Sequence, residues 1–395
     1  MSFASAPSFA KILTFAGTTL ALAACGGNNV TTTPVSTPVP TTYSFTTKIN
    51  PPNTLSFDIS FVDETEHLYF LADRSTSGVD VVNTLTSAFV GTAGAGAFQG
   101  LGTPVAGFGR NPNAGPNGVV SLGNGLVAAG DGNSTLKIVQ VNPLSATPIA
   151  TIAVPNPYTG ANLAPNICQG TTGATTGKPT VGAGNFRVDE MAYDPVDNVI
   201  AAVSDNACPV FITFFSASSP YNILGQVPLL TANGGGEQTV WDVSQGLFLT
   251  AIPSTTVHPN GEIDDFSPKT FTLVSANGLP VNCGPSGLAL GLRETIVAAC
   301  GNSSSMTTFN AVTFAQLNNV PGPSPDEIWY SPQTNRFYGA DTSGGTLAVL
   351  DGNGNLLARV ATSTGAHSVA VEGLNDHVFV PQNVAPNIGI TIYDH

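Results

Sequence analysis

One short pattern recurs about seven times along this chain, and that recurrence limits the possible folds more than any other feature. Each copy reads as a polar residue, an apolar strand with a turn, a second apolar strand, a small polar break and a third strand. The first strands run F-D-I-S-F-V-D, N-G-V-V-S-L-G, D-E-M-A-Y-D-P, E-Q-T-V-W-D-V, P-S-G-L-A-L-G, D-E-I-W-Y-S-P and A-H-S-V-A-V-E. At one matching position they carry Asp58, Gly118, Glu190, Gln238, Ser286, Glu327 and His367. The interval between copies settles near ~40 residues, the length of a four-stranded blade, and the longer early intervals hold Gly-rich inserts.

The pattern predicts an all-β chain forming a single seven-bladed β-propeller of four-stranded antiparallel blades. Six or eight blades are the alternatives that the irregular early copies leave open. The last copy stops after its third strand, and Y-S-F-T-T-K-I at 43–49 is a lone strand before the first copy. That N-terminal strand is expected to close the ring, which removes the exposed sheet edges that favour aggregation.

Composition agrees and excludes one class of partner. Hydrophobic content of 42% with 43 Gly and 30 Pro fits many short strands and tight turns. With 11 Lys+Arg against 25 Asp+Glu, the formal charge is −14, so the chain lacks the clustered cations that phosphate contacts need. No nucleic-acid partner is expected.

The first 42 residues read as an address and a tether. Lys11 precedes the apolar stretch 12–24, which is too short to span a membrane comfortably. It ends in L-A-A-C, which resembles the bacterial lipobox, so residues 1–24 are expected to be a lipoprotein signal peptide and Cys25 the lipidated residue. Gly26 stands where an inner-membrane retention signal carries Asp, which favours the outer membrane, facing the periplasm or the exterior. Residues 25–42 are a Thr/Pro-rich tether with too little apolar surface to pack, and 43–395 are the propeller.

Apart from Cys25, four cysteines remain for an oxidising compartment, and sequence alone allows three pairings. Cys283–Cys300 is favoured because the pair brackets one two-strand unit; Cys168–Cys208 then follows. Free buried thiols are the alternative.

D-E-M-A-Y-D-P-V-D-N-V-I-A-A-V-S-D-N, P-D-E-I-W-Y-S-P-Q-T-N-R-F-Y-G-A-D and A-H-S-V-A-V-E-G-L-N-D-H-V-F-V-P resemble the YncE-like, YVTN-type bacterial propellers, within a superfamily that includes lactonase-like propellers. The literal Y-V-T-N tetrad does not occur. The resemblance implies a propeller over nearly the whole mature chain. For activity it implies either a binding or scaffold protein or a lactonase or cycloisomerase.

The matched ring position is the candidate site. Asp58, Glu190 and Glu327 offer hard oxygen ligands and Gln238 a carbonyl, a set suited to Ca²⁺, while His367 shifts the preference toward a transition metal. Crowded carboxylates raise one another's pKa, which makes Glu190 or Glu327 a candidate general base and His367 a proton shuttle. The bland alternative is a polar lining for a water-filled channel. Asp189, Glu237 and Asp326 precede ring residues and read as ordinary turn residues. Asp73, Asp131, Asp205, Asn302, Asp341 and Asn383 end the second strands and read as turn caps. His258, Glu262, Asp264 and Asp265 read as a solvated loop, and no hydrolase or nucleotide-binding motif occurs in its required context.

The expected protein is therefore a monomeric, lipid-anchored envelope propeller that binds a small ligand, glycan or protein partner through its channel face. A metal-assisted lactonase or cycloisomerase is the alternative, and an assembly scaffold is the third reading.

Overall fold

The computed structural model describes residues 42–104, 111–158, 186–233, 235–292, 294–322 and 324–395. The predicted signal peptide, Cys25, nearly all of the tether and Cys168 lie outside these. Residues 40–395 form a compact unit by themselves that contains every named strand.

Seven four-stranded antiparallel sheets are present. Blade 1 holds β2 (Phe57–Asp63) to β5 (Ala88–Ala93), and blade 2 holds β6 (Val119–Gly123) to β9 (Ala150–Ala153). Blade 3 runs from β10 (Met191–Asp194) to β13 (Ile223–Pro228), and blade 4 from β14 (Thr239–Asp242) to β17 (Thr272–Gly278). Blades 5 and 6 run from β18 (Pro285–Leu290) to β21 (Gln316–Pro321) and from β22 (Glu327–Ser331) to β25 (Leu356–Ala361). Blade 7 combines β26 (Ala370–Glu372), β27 (His377–Gln382) and β28 (Gly389–Asp394) with β1 (Ser44–Ile49). Strand β1 pairs antiparallel with β28, Ser44 opposite Asp394 and Ile49 opposite Ile390. The expected closure by the N-terminal strand is what the chain does.

Burial explains why the strands read as they do. The second strand of a blade is covered on both faces by its neighbours, so L-Y-F-L-A-D in β3 (Leu68–Asp73) and T-I-V-A-A-C in β19 (Thr295–Cys300) are buried at every residue. The outermost strand faces water on one side, and β9 alternates between half-buried and exposed. Between each pair of adjacent blades lies a separate apolar cluster, seven in all, such as Ile59, Phe70 and Val81 of blade 1 against Val119 and Val127 of blade 2. The core is thus a ring of seven interfaces around an axis that the innermost strands line.

Cys283, just before the first strand of blade 5, and Cys300, the last residue of its second strand, are joined, with Cα atoms 4.2 Å apart. Cys208 is buried and disulfide-bonded. Its expected partner Cys168 lies outside the described residues.

Candidate functional site

The innermost strands all begin on one face of the propeller, and the ring residues lie at those starts. The structure sorts them into two layers. In the outer layer the Asp58 carboxylate is paired with Arg74, from the turn after β3, and Arg187 Nη1 stands 3.9 Å away. Arg74 also donates to Asn117 Oδ1 at 2.7 Å, which ties blade 1 to blade 2. Arg187 precedes β10 and bridges Asp189, at 3.0 Å, and Asp205, at 2.5 Å. His367 Nε2 of blade 7 is 3.4 Å from Asp58 Oδ1. Burial pushes the Asp58 carboxyl up, but the Arg74, His367 and Arg187 charges outweigh it and hold the group well below the usual carboxylate range. Burial lowers His367, yet Asp58 and Asp326 raise it above its ordinary value.

The inner layer is of another kind. Glu190 of blade 3 and Glu327 of blade 6, from blades as far apart as a seven-membered ring allows, approach each other across the axis closely enough for each carboxyl to shift the other's proton affinity. A hydrogen bond between two carboxyls needs at least one proton on the pair. Burial and the opposing carboxylate raise Glu190 well above its usual value. Burial, with Asp326 and Asp58 nearby, pushes Glu327 up to about 8 against the opposing pull of the Glu190 hydrogen bond. Gln238 of blade 4 reaches past blade 5 to blade 6. Its Oε1 accepts from Leu288 N at 2.6 Å and Ile328 N at 3.0 Å, and its Nε2 donates to Ile328 O at 2.9 Å. Together these side chains form a crossbar over the channel.

The remaining ring positions are explained by packing. A Cβ on Gly118 would stand 1.9 Å from the Asp189 carbonyl oxygen, so blade 3 can approach blade 2 only because that position is glycine. Ser286 Oγ donates to the Pro325 carbonyl at 3.3 Å.

Below the crossbar is a cavity of about 410 Å³ lined by residues of all seven innermost segments. It carries Glu190, Gln238 and Glu327 at one end and Phe61, Tyr193, Trp241, Trp329 and Tyr330 toward the other. Phe61 and Trp329 pack edge to face with centroids 5.1 Å apart. Tyr193 and Tyr330 each donate a hydroxyl hydrogen bond of 2.8 Å, to Asn198 and Asn335 of their own hairpins. At Phe61, Tyr193, Trp329 and Tyr330 the cavity opens into a second one of about 540 Å³, walled by turn residues such as Glu64, Thr65 and Pro332.

Several expectations need correction. Asp189 is not an ordinary turn residue but part of the Arg187 cluster, where burial and neighbouring carboxylates push it to about 7 despite Arg187. Glu237 and Asp326 lie in the same field and are both raised, first by burial; neighbouring carboxylates add to this at Glu237, whereas His367 opposes it at Asp326. Asp205 leaves the column of turn caps for Arg187, whereas Asp73, Asp131 and Asp341 do accept turn N–H bonds. Glu262, Asp264 and Asp265 are buried in β16 (Glu262–Ser267), paired on both sides, rather than in a solvated loop. His258 meets Glu262 there, and burial together with Glu262 pushes Asp264 up to about 9.

Of the five candidate metal ligands, Asp58 and His367 face each other and the two arginines, and Gln238 is occupied by backbone. Among the described residues no group of three or more His, Cys, Asp or Glu is arranged to hold an ion. Sequence reasoning missed Arg74, Arg187 and the aromatic end. Arg74 sits in a turn and Arg187 in the irregular segment before β10, where their only signal is scarcity. The aromatics had a clear one: D-I-S-F, E-M-A-Y, Q-T-V-W and E-I-W-Y place an aromatic three residues after the polar ring residue in four blades. In the other three blades, G-V-V-S, S-G-L-A and H-S-V-A place none there.

No family model and no curated protein matches this sequence. A solved structure of a mitotic checkpoint complex contains a chain that matches with a TM-score of 0.60 and 12% identity, covering 95% of this chain and 99% of its own. It is one of 1446 matching solved chains, so the likeness marks a widespread architecture. At that identity it shows the fold alone. The chain is a seven-bladed β-propeller, a scaffold suited to binding and interaction.

Proposed function

We propose that this chain is a lipid-anchored propeller of the bacterial cell envelope, of YncE-like type, that works as a binding module through its channel. The observation that carries the reading is the channel itself, about 410 Å³ and bordered by every blade, within the size range of ordinary ligand sites. The L-A-A-C motif and the tether support the anchoring.

Thermal-shift screening of the propeller tests the binding reading, alongside Ala192→Phe, which fills the channel from within. The expected result is a ligand-induced rise in melting temperature that the filled variant loses. A partner that stabilises both proteins equally would move the function to another surface. Acyl labelling that Cys25→Ser abolishes tests the anchor.

The Glu190–Glu327 pair favours a second reading, an enzyme of lactonase or cycloisomerase type. A carboxyl held near neutrality can take or give a proton at physiological pH, the requirement for general acid–base work. Turnover of a lactone that Glu327→Gln abolishes would establish it. Metal content of protein purified without chelator tests a cation at the same place. Near-stoichiometric metal absent from the Glu190→Gln/Glu327→Gln variant would make the pair a ligand set.

A further inference from the structure

The charged face was the site that the repeat pattern pointed to, yet the cavity opens on the other one. At the charged end the channel is crossed by Gln238 and by the Glu190–Glu327 pair, with the Arg187 cluster above them. At the opposite end, three residues along each strand, or about 10 Å at the usual rise, stand Phe61, Tyr193, Trp241 and Tyr330. Around that mouth the hairpin tips of blades 3, 4, 5 and 7 carry Val196, Val243, Leu292 and Leu374, all more than half exposed.

We propose that the tunnel takes an uncharged or cationic small molecule with a flat or alicyclic apolar body, which enters through the aromatic mouth. Its polar end would reach Glu190 and Glu327. The inference rests on the reading of the channel as a ligand site and names the class of ligand. Three features choose the class. Aromatic faces gain from stacking against rings and C–H-rich surfaces. The inner end offers carboxyl oxygens, which accept hydrogen bonds and attract positive charge. No Lys or Arg lines either cavity among the described residues, so an anion would be desolvated against carboxylates with nothing to pair it. Rejection of anions follows from that repulsion rather than from shape.

The chain contains two tryptophans, Trp241 and Trp329, and both line the tunnel, so its intrinsic fluorescence reports occupancy directly. The test titrates residues 40–395, the compact unit, with two probes of one ring skeleton. N-phenyl-1-naphthylamine is uncharged; 1-anilinonaphthalene-8-sulfonate adds a sulfonate. The expected result is saturable one-to-one binding of the neutral probe, with tryptophan quenching, at least about tenfold tighter than the anion. Ala192→Phe and, at the mouth, Ser121→Phe should each abolish it while thermal unfolding remains cooperative. Equal or tighter binding of the anionic probe overturns the inference, as does neutral-probe binding that survives both variants. If neither probe binds while ligands from the thermal-shift screen are still lost in Ala192→Phe, the ligand class falls and channel binding stands. If those ligands ignore the filled variant too, both readings fall.

Discussion

The two ends of the channel are built from the same innermost strands and solve opposite problems. At their starts, polar side chains satisfy one another within and across blades: Arg74 with Asp58 of its own blade and Asn117 of the next, Arg187 with Asp189 and Asp205 of its own blade, Glu190 with Glu327, Gln238 with the backbone of blades 5 and 6. What is left there to recognise a ligand is the cavity-lining side of Glu190 and Glu327. At their far ends the side chains are large and half-buried; Tyr193 and Tyr330 are satisfied within their own hairpins, whereas the indole N–H groups of Trp241 and Trp329 have no hydrogen-bond partner among the described residues, so this end leaves room for something else. A dense polar network marks where a ring is locked together; it does not by itself mark where a ring binds.

That contrast can be broken by substitution. The largest effect is expected at the charged end. Arg74→Ala leaves Asp58 buried without its main partner and should cost about 3–5 kcal/mol, the range for removing one member of a buried pair, measured by urea unfolding. Gln238→Ala strands the amides of Leu288 and Ile328 and should cost about 1–3 kcal/mol. It should also open the crossbar, so acrylamide quenching of tryptophan fluorescence should increase. Tyr330→Phe removes one bond to Asn335 and should cost no more than about 1 kcal/mol. A loss at Tyr330 as large as that at Arg74 would erase the distinction between the ends.

The pH dependence sharpens it. Glu327 binds its proton more tightly when folded, with its value pushed from 4.5 to about 8. Folding stability from this group is therefore greatest at acid pH and declines as pH rises through that window. Asp58 has the opposite sign. Its depressed value contributes stability above the ordinary carboxylate range, lost as pH falls below about 4. Glu327→Gln should flatten the decline between pH 5 and 8 and leave the acid limb unchanged, as chemical unfolding at a series of pH values will show.

The sequence disclosed the blades because a strand covered on both faces must be apolar throughout, and it disclosed the closing strand because a three-stranded last copy needs a fourth. It placed Asp58, Glu190, Glu327 and His367 at the axis for the same reason, since equivalent positions in a closed ring must converge. It did not disclose which would pair. Glu190 meets Glu327 because blades 3 and 6 are nearly opposite, a consequence of ring geometry that no local pattern carries. Arg187 lies in irregular chain before β10, held by Asp189, Asp205 and Asn206, where periodicity says nothing. The aromatic column was written in the repeats as plainly as the ring. It was hidden because an aromatic in a strand is first read as core, and only the position of Trp241 and Tyr330 at the wall of a cavity shows otherwise.

The central claim is that Glu190 and Glu327 share a proton across the axis and close one end of the channel. A double-mutant cycle tests it most directly, with Glu190→Gln, Glu327→Gln and the double variant unfolded in urea at pH 6 and pH 9. The account predicts a coupling of about 0.5–3 kcal/mol at pH 6 that changes at pH 9, above the value near 8 to which Glu327 is pushed. Additive effects at both pH values would mean that the two carboxyls do not meet.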